Sequence, residues 1–316
     1  MLTSPAFFRK SRLDMRQLRL LVALDTHRNL RLAAQAMCVT QPGASTLLKT
    51  IETTLGVPLF ERMPRPMAPT QYGETVIRHA RMTIASLGRG LASLESLRAG
   101  ATGKVLVGSI MTPALTLLPR AIADVKARAP RLHVGVHTDS SERLFEMLER
   151  GAVDFMVGRL PKQVAVAAWC YEPLADEHAC VVVRVGHPLL DRRGLKLAHL
   201  AALAWILPKR GNVLRERFDA VFAATGVPAP RNVVEADAPL VVTSLLQHTD
   251  ALNVMPLEVA RHSEAMGLLR ILPLALPCTL AQFGLAYAAN RPLSPAAALM
   301  LNAARAAAGR TTALKP

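Results

Sequence analysis

The chain has 316 residues, 51% of them apolar and 19% charged, which sets it apart from disordered chains and makes it long enough for two domains with a substantial core. Lys and Arg outnumber Asp and Glu by 38 to 23, a formal net charge of +15, and such an excess favours a polyanionic partner, nucleic acid ahead of an anionic membrane. Up to Thr102 there are 14 basic and 6 acidic side chains, so the N-terminal third is the stronger polyanion candidate.

Cys38, Cys170, Cys180 and Cys278 form no CxxC pair and no metal-ligand spacing, so reduced thiols in a cytoplasmic protein without metal or cofactor are expected. The opening MLTSPAFFRKSRLD has no apolar run of secretory-leader length. Ile271 to Ala289 is apolar enough to suggest a membrane span, but Pro273, Pro277, Thr279 and Gln282 interrupt it, and a pair of core strands fits better.

Residues 1–14 read as a loose basic extension. From Met15 to Asp25, Leu18, Leu21 and Val22 share one face of a short helix. Asn29 suits the cap of a second helix containing Leu32, Ala33 and Ala36. After the break Met37 to Thr40 a third helix begins, with Thr40 as N-cap and Pro42 in the first turn, where a missing N–H costs nothing. Ala44, Leu47, Leu48, Ile51 and Leu55 make its buried stripe; Gly43, Ser45, Thr46, Lys49 and Thr53 occupy the other face, and Gly56 ends it. A Pro-rich strand-turn-strand stretch follows, carrying Arg62 and Arg65.

Between Glu74 and Arg98, Ile77, Ala80, Ile84, Leu87, Leu91 and Leu94 recur at alternating intervals of three and four. That is a heptad seam suited to pairing two helices, each about 38 Å long at ~1.5 Å per residue. After AGATGK the chain alternates strand-like runs (KVLVGSI, LHVGVHT, VDFMVGRL, ACVVVRV, AWILP, NVVEA, ALNVM) with helical segments, the pattern of parallel sheets with crossover helices.

Two helices joined by a four-residue turn, the second with a short-chain polar face, make a helix-turn-helix. Gln41, Ser45, Thr46 and Lys49 suit entry into a major groove, and Arg62 and Arg65 on the next turn suit a wing. In order, MRQLRLLVAL, LAAQAMCVTQPGAST, Glu52, LGVPLFER and PTQYGE resemble the LysR-type transcriptional regulators. GKVLVGS, VDFMVGRL and VVVRVGHPL extend the likeness over nearly the whole chain, and within the family the wording is similar to regulators of protocatechuate catabolism and of sugar-binding-protein genes.

The resemblance implies an α/β chain: a winged helix-turn-helix over 15–73, a dimerising linker helix over 74–102, and a two-lobed effector domain of the periplasmic-binding-protein type over 103–316. Lobe I would take about 103–171 and 275–316, lobe II about 172–274. It implies DNA contacts from Gln41, Pro42, Ser45, Thr46, Lys49, Arg62 and Arg65, a dimer or tetramer, and action on RNA polymerase at double-stranded DNA. The family often has Arg directly after the helix serine; Thr46 stands there, so a bidentate Arg–guanine contact is absent at that position.

Thr112 and Ser140–Ser141 stand at expected helix starts, which offer N–H donors to an anion. The resemblance places Thr112, Ser141, Arg159 and the loop Arg210, Gly211, Asn212 around the inter-lobe cleft, with Ser140 beside them. Hydroxyls with cations suit a carboxylate effector, aromatic or sugar-derived; a neutral sugar, or a ligand-unresponsive C-terminal domain, are the alternatives. GxSxG, HExxH, a phosphate loop and a tight carboxylate pair are all missing, and His178 near Cys180 and Cys170 reads as a buried structural cluster, so no catalytic residues are expected. A solute-binding protein would share the alternating strands but not the helix-turn-helix.

Overall fold

The computed structural model describes residues 13–61, 67–98, 103–161, 164 and 168–312. Contacts divide the chain into two compact units, one running to Ala101 and taking in Glu149–Ala152, the other holding the remainder.

In the first unit, α1 (Met15–His27), α2 (Leu30–Ala36) and α3 (Gln41–Leu55) precede the long helix α4 (Gln71–Arg98). Each start is capped locally. Asp14 and Gln17 form a reciprocal box, each side chain accepting the other's backbone N–H at 2.8 Å, Asn29 accepts from Arg31 and Leu32, and Thr40 accepts from Gly43. The buried face of α1 is Gln17, Leu20, Leu21 and Leu24. This shifts the expected face, leaving Leu18 and Val22 half-buried, because the cap draws Gln17 inward. On α2, Ala33 and Ala34 are buried while Leu32 and Ala36 are exposed, since the small side chains let α2 approach its neighbours closely.

Ala44, Leu48 and Ile51 of α3 join Leu59, Phe60 and Ile77 in one core. Glu52 ties the segment after α3 back to it, accepting N–H bonds from Leu59 (2.7 Å) and Phe60 (3.4 Å). Of the expected strand pair beyond Gly56, a single bridge between Phe60 and Pro69 is present among the described residues. The seam on α4 is divided. Ile77 and Ala80 are buried at 3% and 1% exposure, whereas Leu87, Leu91 and Leu94 are 50–58% exposed; the first turns pack on their own domain, and only the later ones leave a face uncovered.

The second unit holds β1 (Lys104–Ser109), α5 (Met111–Thr116), α6 (Leu118–Arg128), β2 (His133–Thr138), α7 (Ser141–Glu149), β3 (Phe155–Gly158) and β4 (Trp169–Arg184). Then follow α8 (Leu197–Leu200), β5 (Trp205–Leu207), α9 (Val213–Thr225), β6 (Val233–Glu235), α10 (Pro239–His248) and β7 (Leu252–Pro256). The unit ends with α11 (Leu257–Ala265), β8 (Leu269–Ile271), β9 (Thr279–Ala288) and α12 (Pro295–Thr312). Strand order is β2-β1-β3-β9-β4-β7-β5-β6, with β8 also on β4.

The two outer groups are parallel, but β4 and β9 run antiparallel to each other and to their neighbours, so the sheets are mixed rather than purely parallel. β4 extends further back than its apolar run suggested. It pairs with β9 over Trp169–His178 and with β7 over Ala179–Val182, and so belongs to one sheet in its first half and to the other in its second. Register shifts near Pro173 and Ala175 bend it at the changeover, as bulges and a donor-less Pro do. The expected strand pair in Ile271–Ala289 is the end of β8 and the long β9.

Each sheet has its own core. Around the first gather Phe155, Val157, Leu285, Met300 and Ala304, with Phe145 edge-on to Trp169 at 5.0 Å. Around the second, Trp205 packs on Phe218 at 4.8 Å and Phe222 at 6.2 Å, and its indole N–H donates to Leu200 O, satisfying the polar edge of a buried ring.

Candidate functional site

Two surfaces collect the residues singled out in the sequence. On the first, α3 buries Ala44, Leu48 and Ile51 and leaves Gln41, Pro42, Gly43, Ser45, Thr46 and Lys49 exposed. The helix start carries no acidic residue in its first turn, so its N–H groups and positive dipole end are not offset by a local carboxylate. The Thr46 hydroxyl donates to Pro42 O at 3.0 Å, and Thr50 and Thr54 repeat the pattern one turn on each time. Their hydroxyls thus bond the backbone, and Thr46 offers a methyl where a guanidinium would otherwise stand. Asp25 on α1 pairs with Arg28 at 2.7 Å and with Arg81 of α4, fixing α4 against the three-helix core. Arg62 and Arg65 lie outside the described residues.

The second surface lies where the strands of both sheets end. In open α/β sheets a crevice forms beyond the carboxyl ends of the strands. β1 leads there into Ile110 and Thr112, β3 into Gly158 and Arg159, β5 into the loop Pro208–Asn212, and β7 into α11. α5, after β1, packs against α11, after β7, so the two sets of strand ends face one another.

Side chains then converge along this line. Ser141 is buried and its Oγ accepts the Arg159 backbone N–H at 3.1 Å. A Cβ built on Gly158 would meet the Met156 terminal methyl carbon at 2.7 Å and both Ile110 Cγ2 and Ser141 Oγ at 3.4 Å, so β3, Ile110 and Ser141 pack closely here. The Arg159 guanidinium donates to Ala281 O at 2.6 Å and to Glu177. Both partners lie on the crossover strands, and Glu177 sits just before β4 changes sheets. The pair is largely desolvated, with side-chain exposures of 14% and 5%. Tyr171 closes the same corner, donating to Gln282 O at 2.9 Å; burial pushes its hydroxyl pKa above the ordinary 10.0, against the pull of Arg159.

Thr112 is buried, and α5 is capped at Ile110 without a side-chain bond. Among the described residues neither the Thr112 Oγ1 nor Glu177 Oε1 has a hydrogen-bond partner. Ser140, by contrast, is exposed, and its Oγ accepts a 3.4 Å bond from Arg143 N; it is a helix-start residue outside this group. On the second lobe Asn212 caps α9 through Leu214 N, Gly211 turns with φ +87°, and Arg210 is exposed. Arg215 behind them is buried and committed to Asp219 and Pro208 O. The Arg159 guanidinium is bonded through Nε to Ala281 O and through Nη2 to Glu177.

Glu177, Tyr171 and the Ala281 carbonyl were not singled out in the sequence. The available signal was an acidic pair, Asp176–Glu177, heading straight into an apolar strand, where a carboxylate needs a partner.

The other grouping noted in the sequence has no catalytic geometry. His178 Nδ1 meets Thr279 Oγ1 at 3.2 Å. Burial, helped by Glu264, pushes the Cys180 thiol up to about 12, so it is a poor nucleophile near neutral pH. Among the described residues no His, Cys, Asp or Glu side chains form a group able to hold a metal ion, and no helix is long and apolar enough to cross a membrane.

Two family models match the chain. Residues 15–74 match the bacterial regulatory helix-turn-helix protein, lysR family, and residues 98–309 match the LysR substrate binding domain. The chain is 39% identical over 302 residues to the HTH-type transcriptional regulator GbpR of Azospirillum brasilense, covering 95% of this chain and 88% of that one. It is 30% identical over 298 residues to the HTH-type transcriptional regulator PcaQ of Agrobacterium fabrum, covering 94% and 96%. Its fold is similar to that of full-length CbnR complexed with target DNA, with TM-score 0.60 at 20% identity over 93% of this chain and 100% of that one.

Proposed function

The chain belongs to the LysR-type transcriptional regulators, DNA-binding proteins with a C-terminal effector-binding domain, and on that premise we propose which of its residues do the work. The observation that carries the reading is α3: a capped helix start with Gln41, Pro42, Ser45, Thr46 and Lys49 exposed on the face opposite its buried stripe. Inserted in a major groove, Gln41 and Ser45 reach base edges and Lys49 a phosphate, with Arg62 and Arg65 on the flanking phosphates.

Residues 15–73 form the DNA reader, 74–102 the linker and 103–316 the effector domain. Leu87, Leu91 and Leu94 form the stretch through which two copies pair, giving a dimer and then a tetramer on a partly palindromic site. A small molecule between the lobes, against Thr112, Ser141, Arg159 and the Arg210–Asn212 loop, biases the oligomer between two shapes and so changes access of RNA polymerase to double-stranded DNA. The protein works in the cytoplasm and carries out no catalysis.

The test is the variant Ser45→Ala with Lys49→Ala. Binding to its operator, followed by fluorescence anisotropy, should weaken at least tenfold while the oligomer seen in sedimentation is unchanged. Unaltered DNA affinity would remove α3 as the reader.

A further inference from the structure

Resting on the reading of α3 as the DNA reader and of α4 as the pairing helix, we infer that Asp25 and Arg81 are positioning residues. Their ion pair fixes the angle at which α4 leaves the three-helix body, and so sets the separation of half-sites that the protein accepts on DNA.

The start of α4 is anchored in place. Thr70 Oγ1 donates to Pro58 O at 2.8 Å and accepts the Gly73 N–H at 3.1 Å, Ile77 joins the three-helix core, and Ala80 is buried. Apolar contacts are non-directional, so they fix where the helix sits more firmly than the direction in which it points.

Arg81, one turn beyond Ile77, supplies direction. Its Nη2 donates to Asp25 Oδ2 on α1, while Arg28 Nη2 meets the other carboxylate oxygen at 2.7 Å. The Arg81 and Asp25 side chains are 19% and 17% exposed, so solvent and salt screen this pair less than a fully exposed one. Arg28 closes α1 in left-handed geometry, φ +49°, and its carbonyl accepts the Met67 N–H at 3.1 Å. One carboxylate therefore gathers α1, the turn into α2 and α4 itself, and the turn in turn holds the segment that leads into α4. Among the described residues Arg81 is the last of α4 with a side-chain bond to the three-helix body, and Leu87, Leu91 and Leu94 follow it exposed. The pair thus stands at the point where α4 departs.

From that point α4 runs on to Arg98, about 26 Å at ~1.5 Å per residue. A change of about 10° at the joint swings the far end by about 4–5 Å, more than the ~3.4 Å rise of one base pair. With the exposed seams paired, the same swing passes back to each α3, and twofold symmetry applies it to both recognition helices.

The test uses the full-length protein and the palindromic duplex that it enriches from a random library. The half-site separation is kept, or changed by one and two base pairs in either direction, beside a duplex carrying a single half-site. Wild type should bind the parent separation at least tenfold more tightly than separations two base pairs away. Arg81→Met keeps the aliphatic stem and Asp25→Asn keeps the side-chain shape; each should narrow that ratio below threefold, with affinity for the single half-site within twofold of wild type. Arg28→Met leaves Asp25 bonded to α4 and should keep the wild-type ratio. Equal weakening at every separation and on the single half-site would mark the pair as part of the fold alone and overturn the inference. So would an unchanged ratio in both variants, a flat profile in the wild type, or an equal narrowing in Arg28→Met. Sedimentation runs alongside: a wild type that binds the half-site but does not pair undermines the linker assignment, whereas an intact oligomer whose spacing preference ignores the substitutions overturns the positioning role alone.

Discussion

Replacing Arg159 by alanine leaves the Glu177 carboxylate, whose side chain is 5% exposed, with neither oxygen bonded among the described residues, because Oε1 has no partner there already. Breaking a buried ion pair from one side costs about 3–5 kcal/mol, since the surviving charge stays buried and uncompensated. For a domain of this size each kcal/mol lowers the midpoint by roughly 2–4 °C, so the expected fall is about 6–20 °C. The paired replacement Arg159→Met with Glu177→Leu removes both charges at once, and buried pairs exchanged for apolar residues are often neutral or stabilising by about 1–4 kcal/mol. The double variant should therefore be more stable than Arg159→Ala. Urea unfolding followed by tryptophan fluorescence reads this directly, because Trp169 lies on β4 in the first sheet and Trp205 on β5 in the second. A loss below about 1 kcal/mol in Arg159→Ala, the range of exposed pairs, would refute the claim that this pair is desolvated.

Three further outcomes follow from local geometry. Gly73→Ala puts a Cβ 1.9 Å from Leu59 O, the carbonyl that accepts Thr70 N at the start of α4; forcing the two apart should cost at least about 2 kcal/mol, in the range of overpacked sites, and depress both melting temperature and DNA affinity. Cys38 holds φ +54° in the turn between α2 and α3; Cys38→Gly relieves a left-handed penalty of about 1–2 kcal/mol at the entropic expense of glycine, so the melt should rise by a few degrees with DNA binding unchanged. Glu172 is bonded by Arg305 and by Tyr287, and the Arg305 bond holds its carboxyl below the ordinary 4.5. A lowered folded value means a contribution present above 4.5 and lost as pH falls through the folded value, so the stability gap between wild type and Glu172→Gln should close on acidification below 4.5 and stay constant above it.

The helix-turn-helix was legible because its signals are local. Thr40, Pro42 and Gly56 punctuate α3 by their own backbone chemistry, and the buried stripe follows from a 3.6-residue period. The seam on α4 was legible as a period but not as a partner: Ile77 and Ala80 belong to the fold's own core and Leu87, Leu91 and Leu94 do not, a division that depends on where the three-helix core ends. The cleft was half legible. Thr112, Ser141 and Arg159 stand at strand ends that alternation locates, but Glu177 reaches the site only because β4 runs through the polar stretch PLADEH and past a donor-less proline into a second sheet. That path is fixed by pairing with β9, about a hundred residues away in sequence, and no local pattern announces it. The α1 face was displaced for a related reason, since burial of Gln17 depends on its exchange with Asp14.

The most direct measurement is selection of bound sequences from a random double-stranded DNA library by the full-length protein, with Ser45→Ala/Lys49→Ala in parallel. The account predicts enrichment of a partly palindromic site in the wild type, as expected of paired recognition helices, and loss of that enrichment in the variant while weak, salt-sensitive binding persists. Recovery of no common sequence by the wild type, or of the same site by the variant, would contradict it.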